Sequence, residues 1–252
     1  MENHSLAMTD IASSELFVFS DPRSTAAAAA SWIADRIAAV THLFRVALSG
    51  GTTPGLLYDE LASRKYRNRI DWKRLELFWG DERFVPHNDP RSNYRMARET
   101  LLAHAPVLID HVHPIPTDGD LDNCARRYEA LLKRVYGAET LSLSRPLFDL
   151  VLLGLGPDGH TASLLPGTQA LKERTHCVAP VGNTDPQRIT LTYPAIRSSA
   201  AILFLVTGAD KADALRRVRQ GDTSLPAARI QSAGEIVWFV DHDAAASLAE
   251  AA

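Results

Sequence analysis

The stretch FDLVLLGLGPDGHTASLLPG, Phe148 to Gly167, sets an apolar run directly before a literal G-x-G-x-x-G at Gly154, Gly156 and Gly159. FDLVLLGLG reads as a strand for the middle of a parallel sheet, where both faces are covered. A dinucleotide fingerprint belongs after such a strand. That reading also needs a long following helix and an acidic residue ending the next strand. Here Pro166-Gly167 stops any helix early, and the next strand-like run, HCVAPV, ends on apolar residues. The loop instead puts His160 at a strand end, with Asp158 close enough to orient it. An imidazole, with an ordinary pKa of about 6.5, exchanges protons near neutrality. A lone histidine is also often structural, and the local sequence leaves both readings open.

Outward from this strand, β-rich runs alternate with helical patterns. ELFVFS, FRVALSGG, LELFWGDERF with its strand ending at Gly80, HCVAPV, RITLTY, AILFLVTG and EIVWFV read as strands. The first is followed by a helix that Asp21 caps and Pro22 opens. Its alanine run is a strong helix former rather than a linker. Further helices are expected from near Pro54, over NYRMARETLL, over DLDNCARRYEALLKRVYG and over ADKADALRRVRQ. This rhythm implies one doubly wound α/β domain spanning residues 1–252, a mainly parallel sheet with helices on both faces. Residues 1–14 read as a loosely ordered extension. Ligands of such sheets sit beyond the carboxyl ends of the strands.

The chain has 252 residues, 46% hydrophobic, with a formal net charge of −3 and no block of like charges. It therefore lacks the basic surface expected of a nucleic-acid or anionic-membrane binder. Cys124 and Cys177 have no metal or redox spacing and read as reduced thiols. The N-terminus lacks signal-peptide character, and no apolar run approaches the ~20 residues of a membrane span. A cytoplasmic location is expected. His111 and His113 alternate in DHVHP without a third ligand nearby, so no metal site is expected.

Three more strand ends carry unusual residues. SGGTTPG, Ser49 to Gly55, places paired glycines and the hydroxyls of Thr52 and Thr53 before a helix. A phosphate can sit there on free backbone amides, although a plain tight turn is the other reading. WGDERFVP brings Asp81, Glu82 and Arg83 off a strand. Adjacent side chains of an extended chain point opposite ways, so at most one carboxylate faces any site. In DPRSNYR, Ser92 or Asn93 reads as a helix cap. In GADKADALRR, Lys211 opens a helix, where a cation opposes the dipole unless an anion compensates. Arg188 and Arg197 flank RITLTYPAIR and are able to join it.

In this order, SGGTTP, GDERFVP with DPRSNY, LLGLGPDGHTASLLPG, RITLTYP and VTGADKA resemble the 6-phosphogluconolactonase family, over most of the chain from about Phe17 to Phe239. The related sugar-phosphate isomerases and glucosamine-6-phosphate deaminases share the loop, the D-E pair and G-x-D-G-H. Their sequence after the histidine resembles D-G-H-I-A-F-N-E-P, with an acid five positions beyond it. Leu165 stands at that position here.

The resemblance implies a sugar-phosphate isomerase type of Rossmann-like fold. It also implies hydrolysis of 6-phospho-D-glucono-1,5-lactone to 6-phospho-D-gluconate, the second step of the oxidative pentose phosphate pathway. No cofactor and no catalytic metal are implied. His160 would be the general base, with Asp158 and Asp81 orienting it or holding sugar hydroxyls. Arg83 would stabilise charge at the carbonyl or the phosphate. Ser49, Gly50, Gly51, Thr52, Thr53, Lys211 and one or both of Arg188 and Arg197 would grip the phosphate. Ser92, Asn93, Gly156, Gly159 and Thr161 would complete the substrate site, the glycines leaving space for the sugar ring. The expected partner is this small molecule alone, without nucleic acid or membrane, on a monomer or weak homo-oligomer. The alternatives are an isomerase or deaminase on the same fold, a non-catalytic sugar-phosphate binding module and, more distantly, a dehydrogenase.

Overall fold

A computed structural model describes residues 8–11 and 13–248. Among them the strands are, in chain order, β1 (Thr9–Asp10), β2 (Glu15–Phe19), β3 (Phe44–Leu48), β4 (Leu75–Trp79), β5 (Asp81–Arg83), β6 (Val112–His113), β7 (Leu150–Leu153), β8 (Val178–Val181), β9 (Arg188–Leu191), β10 (Ala201–Val206), β11 (Gln231–Ser232) and β12 (Glu235–Asp241). Seven form one sheet in the order β2-β12-β10-β7-β3-β4-β6, every neighbouring pair parallel. β7 is the central strand, and each of its residues is 1% exposed or less. The uninterrupted Leu-Val-Leu-Leu run is what burial on both faces requires.

Helices between successive strands pack around this sheet. In the helix Pro22–Ala39 the Asp21 side chain accepts from the Ser24 N–H, as its position before Pro22 predicts. Ala26, Ala29, Ala30, Ile33, Ala34 and Ile37 are buried at helical spacing, so one face docks and the alanines permit a close approach. The buried apolar side chains join in one hydrophobic cluster. No helix among the described residues is long and apolar enough to cross a membrane.

Two expectations change. The strand of LELFWGDERF ends at Gly80 as expected, the Gly80 N–H donating to the Leu48 carbonyl (2.8 Å) and its carbonyl accepting from the Leu191 N–H (2.7 Å). The chain thereby passes from the parallel sheet into a separate antiparallel one, β5-β9-β8. HCVAPV and RITLTY accordingly belong to that small sheet rather than to the main one. The expected loose extension is ordered over its described part: Thr9–Asp10 pair with Gln231–Ser232, and Ile11 is 2% exposed. Residues 1–7 and 12 lie outside the described residues.

From β3 the chain proceeds to β4 and β6 on one side, whereas β7, β10 and β12 lie on the other. The sheet thus reverses direction between β3 and β7, where a ligand crevice opens. Strands leaving the sheet here strip backbone groups of ladder partners, and two buried phenols restore them. The Tyr58 hydroxyl accepts from the Ser49 N–H (3.0 Å) and donates to the Ser49 carbonyl (2.8 Å). Tyr128 does the same for Trp79, at 2.9 and 3.0 Å. Burial pushes both phenols up, so they remain neutral donors. Tyr128→Phe, which orphans both Trp79 groups, is expected to cost about 1–3 kcal/mol. Urea denaturation measures it, and an unchanged midpoint would show that the clamp contributes nothing.

Candidate active site

The carboxyl ends of β10, β7, β3 and β4 open onto one cleft of about 300 Å³. It is lined by Ser49, Gly50, Gly51, Thr52 and Thr53 from the loop after β3 and by Asp81, Arg83 and Asn93 from the segment after β4. Gly156, His160 and Thr161 enter after β7, Arg188 from β9 and Lys211 after β10. Most of the site residues expected from the sequence therefore converge.

On one wall the helix Thr52–Ala62 begins directly after Gly51, which at φ +112° is in the region that favours glycine. Gly51 supplies no capping side chain, so no side chain occupies the start of this helix, and Gly51, Thr52 and Thr53 line the cleft there. The Thr53 hydroxyl shares a hydrogen bond with that of Thr207 (2.6 Å), tying together the loops that follow β3 and β10. Lys211 ends the turn Ala209–Lys211 and pairs with Asp210 at 2.8 Å. Its neighbour thus supplies part of the compensating charge that its position calls for. The turn is anchored from behind by buried Asp241, whose carboxylate accepts from the Gly208 N–H at 3.0 and 3.1 Å.

The opposite wall follows from strand alternation in β5. Asp81 faces the cleft, and Glu82 points the other way. Asp81 accepts from the Ser163 hydroxyl (2.5 Å) and the Asn93 amide (3.2 Å). Glu82 is 1% exposed and accepts the backbone N–H groups of Arg83, Asn93 and Tyr94 and the Ser92 hydroxyl. Burial pushes its carboxyl above the ordinary range and the Asp81 charge adds to this, against the pull of the three N–H donors. Ser92 caps its helix by accepting from the Arg95 N–H (3.1 Å). Buried behind the wall, it is not among the residues lining the cleft.

Arg83 and Arg188 are directly paired in the β5–β9 register. An Arg83 terminal nitrogen donates to the Arg91 carbonyl (2.6 Å), and one of Arg188 reaches the Ser163 hydroxyl (3.4 Å). The Nε of each is buried with no hydrogen-bond partner among the described residues. Burial lowers Arg188 most, and Arg83 adds to this while Asp81 opposes it. A guanidinium keeps its proton under such a shift. Two guanidinium groups therefore stand side by side on this wall.

Between the walls, His160 Nδ1 lies 2.5 Å from Asp158 Oδ1. Burial acts to raise Asp158, but the hydrogen bond and the charge of His160 outweigh it and hold the carboxyl below its ordinary range. An ionised carboxylate only accepts, so Nδ1 donates the proton of this hydrogen bond and Nε2 is left outside it. Asp158, not Asp81, orients the imidazole.

The glycines differ from expectation. A Cβ on Gly156 would lie 2.1 Å from His160 Nδ1 and 2.7 Å from Asp158 Oδ1, so this glycine makes room for the histidine pair rather than for a sugar. A Cβ on Gly159 would meet the Leu225 side chain at 2.7 Å. That glycine packs on the protein and does not line the cleft. The Thr161 hydroxyl is committed to the Gly154 carbonyl (2.8 Å).

Arg197 does not reach the site. It ends the short helix Tyr193–Arg197, and the next residue, Ser198, binds the N–H groups of Leu147 and Phe148 ahead of β7. Arg197 therefore lies at the amino ends of the strands, opposite the cleft. Leu165 packs against the core and does not line the cleft. His111 bonds the Leu75 carbonyl and His113 bonds Glu76. Ser163 and Thr207 were not singled out in the sequence, although each lies within a motif that was, LLGLGPDGHTASLLPG and VTGADKA.

The arrangement defines an α/β protein with a cation-lined strand-end crevice and an oriented histidine. The chain belongs to the family of glucosamine-6-phosphate isomerases and 6-phosphogluconolactonases, whose model matches residues 20–238. It is 40% identical over 213 residues to a Nostoc 6-phosphogluconolactonase, across 81% of this chain and 85% of the relative. Identity is 39% over 250 residues to the Mycobacterium leprae 6-phosphogluconolactonase, across 94% and 99%. The solved 6-phosphogluconolactonase of Trypanosoma brucei superposes with a TM-score of 0.79 at 29% identity, across 96% and 100%.

Gly156→Ala is expected to expel the His160 ring from its place beside Asp158. Imidazole NMR reads this as loss of the hydrogen-bonded Nδ1 proton. A retained signal would show that the loop absorbs the extra methyl group.

Proposed function

We infer that this chain hydrolyses 6-phospho-D-glucono-1,5-lactone to 6-phospho-D-gluconate. The observation that carries the mechanism is the His160–Asp158 pair: with Nδ1 committed, Nε2 is the basic nitrogen available in a cleft that also holds three cations. Water adds through oxygen to the lactone carbonyl carbon while its proton passes to Nε2. The tetrahedral intermediate then expels the ring oxygen, which takes the proton back from the imidazolium. The new carboxylic acid ionises on release. No step calls for a redox partner or a metal.

The Ser49–Thr53 loop and Lys211 hold the phosphate at the helix N-terminus. Arg83 and Arg188 stabilise charge developing on the carbonyl oxygen, and Asp81 receives sugar hydroxyls. Holding the remote phosphate places the carbonyl against the water. A ring-opening isomerase or deaminase reading lacks its carboxylate, because Leu165 is turned into the core. A single α/β domain performs the whole reaction in this scheme.

His160→Ala is expected to reduce turnover above the spontaneous rate by about 10²–10⁴-fold, measured on freshly generated lactone. Unchanged turnover would remove His160 from the mechanism. Lys211→Ala is expected to raise KM with little change in kcat. A fall in kcat alone would contradict its role as phosphate anchor.

A further inference from the structure

Among the described residues no cation pairs with the Glu82 carboxylate. Its carboxylate is 1% exposed, and its four protein partners are neutral donors: the N–H groups of Arg83 (2.8 Å), Asn93 (2.7 Å) and Tyr94 (2.8 Å) and the Ser92 hydroxyl (3.0 Å). Burying an ionised carboxylate is costly, and this one sits directly behind Asp81, a like charge.

The donors explain its placement. Two belong to cleft-lining residues, Arg83 and Asn93. The Asn93 side chain in turn donates to the Asp81 carbonyl (2.9 Å) and carboxylate (3.2 Å). It also fills the space beside Gly50, where a Cβ would stand 1.9 Å from its amide oxygen. One carboxylate thus fixes Arg83 directly, and fixes Asp81 and the Ser49–Thr53 loop through Asn93. Glutamine in its place has one acceptor oxygen and an NH₂ group that cannot accept, so it leaves donors unmatched.

We propose that Glu82 is a positioning residue for catalysis, which acts through Asn93 to hold Asp81, Arg83 and the Gly50 loop in register against the substrate. This rests on the lactonase reading of the cleft. Displacing reacting groups by about 1 Å costs on the order of 10²-fold in rate, and Glu82 is the group that prevents such a displacement.

The test is a cycle of Glu82→Gln, Asn93→Ala and the double variant, assayed for lactone hydrolysis well below each melting temperature. Hydrogen exchange is followed over residues 49–55 and 91–97. Each single variant is expected to lose on the order of 10²-fold in kcat/KM, and the double variant no more than the worse single. Exchange should accelerate in both segments of the Glu82→Gln protein. Normal kcat/KM in Glu82→Gln, or losses that multiply in the double variant, would overturn the proposal. So would faster exchange confined to residues 91–97, because the effect would then stop short of the phosphate loop. Should Glu82→Gln not fold, Ser92→Ala removes one donor and takes its place in the cycle. A wild-type protein without lactonase activity would refute the function, and the exchange arm would still judge Glu82.

Discussion

Where a parallel sheet ends, backbone groups lose their ladder partners, and unpaired groups in a buried place are costly. All four strands that open onto the cleft meet this deficit, and each meets it with a side chain. Tyr58 satisfies Ser49, Tyr128 satisfies Trp79, Thr161 satisfies the Gly154 carbonyl and Asp241 satisfies the Gly208 amide. The strand ends are therefore stiff where the substrate site needs fixed geometry. The functional groups project one or a few residues past these fixed points.

Charge is arranged with the same economy. The chain is slightly acidic as a whole, yet its cleft gathers Arg83, Arg188 and Lys211 beside the Asp81 carboxylate. β5 achieves this by alternation, sending Asp81 forward and Glu82 back. The backward carboxylate spends itself on amides that belong to the cleft wall. The cleft is thereby cation-rich although the chain as a whole is slightly acidic.

Much of this was readable from local sequence because the interactions are local. The cap at Asp21, the glycines before Thr52, the opposed faces of Asp81 and Glu82, and the proximity of Asp158 to His160 each span a few residues. The parts that were not readable depend on partners far apart in the chain. Gly80 redirects β5 only because Leu191 is there to bond it, and that pairing carries Arg188 into the site. Arg197, nine positions later, is swept to the far end of the sheet by the turn that Ser198 closes against Leu147. Gly156 was recognisable as special, but its reason, the width of an imidazole, needed the third dimension.

The histidine and its acid lie two residues apart on one turn. Their alignment thus depends on no contact between strands, in contrast to the proposed phosphate grip, which spans loops from β3 and β10. In the proposed function, proton transfer and substrate capture are consequently separable modules. Loops around the cleft are free to drift toward other phosphorylated lactones while the chemical unit stays intact, which makes substrate range the more evolvable of the two properties.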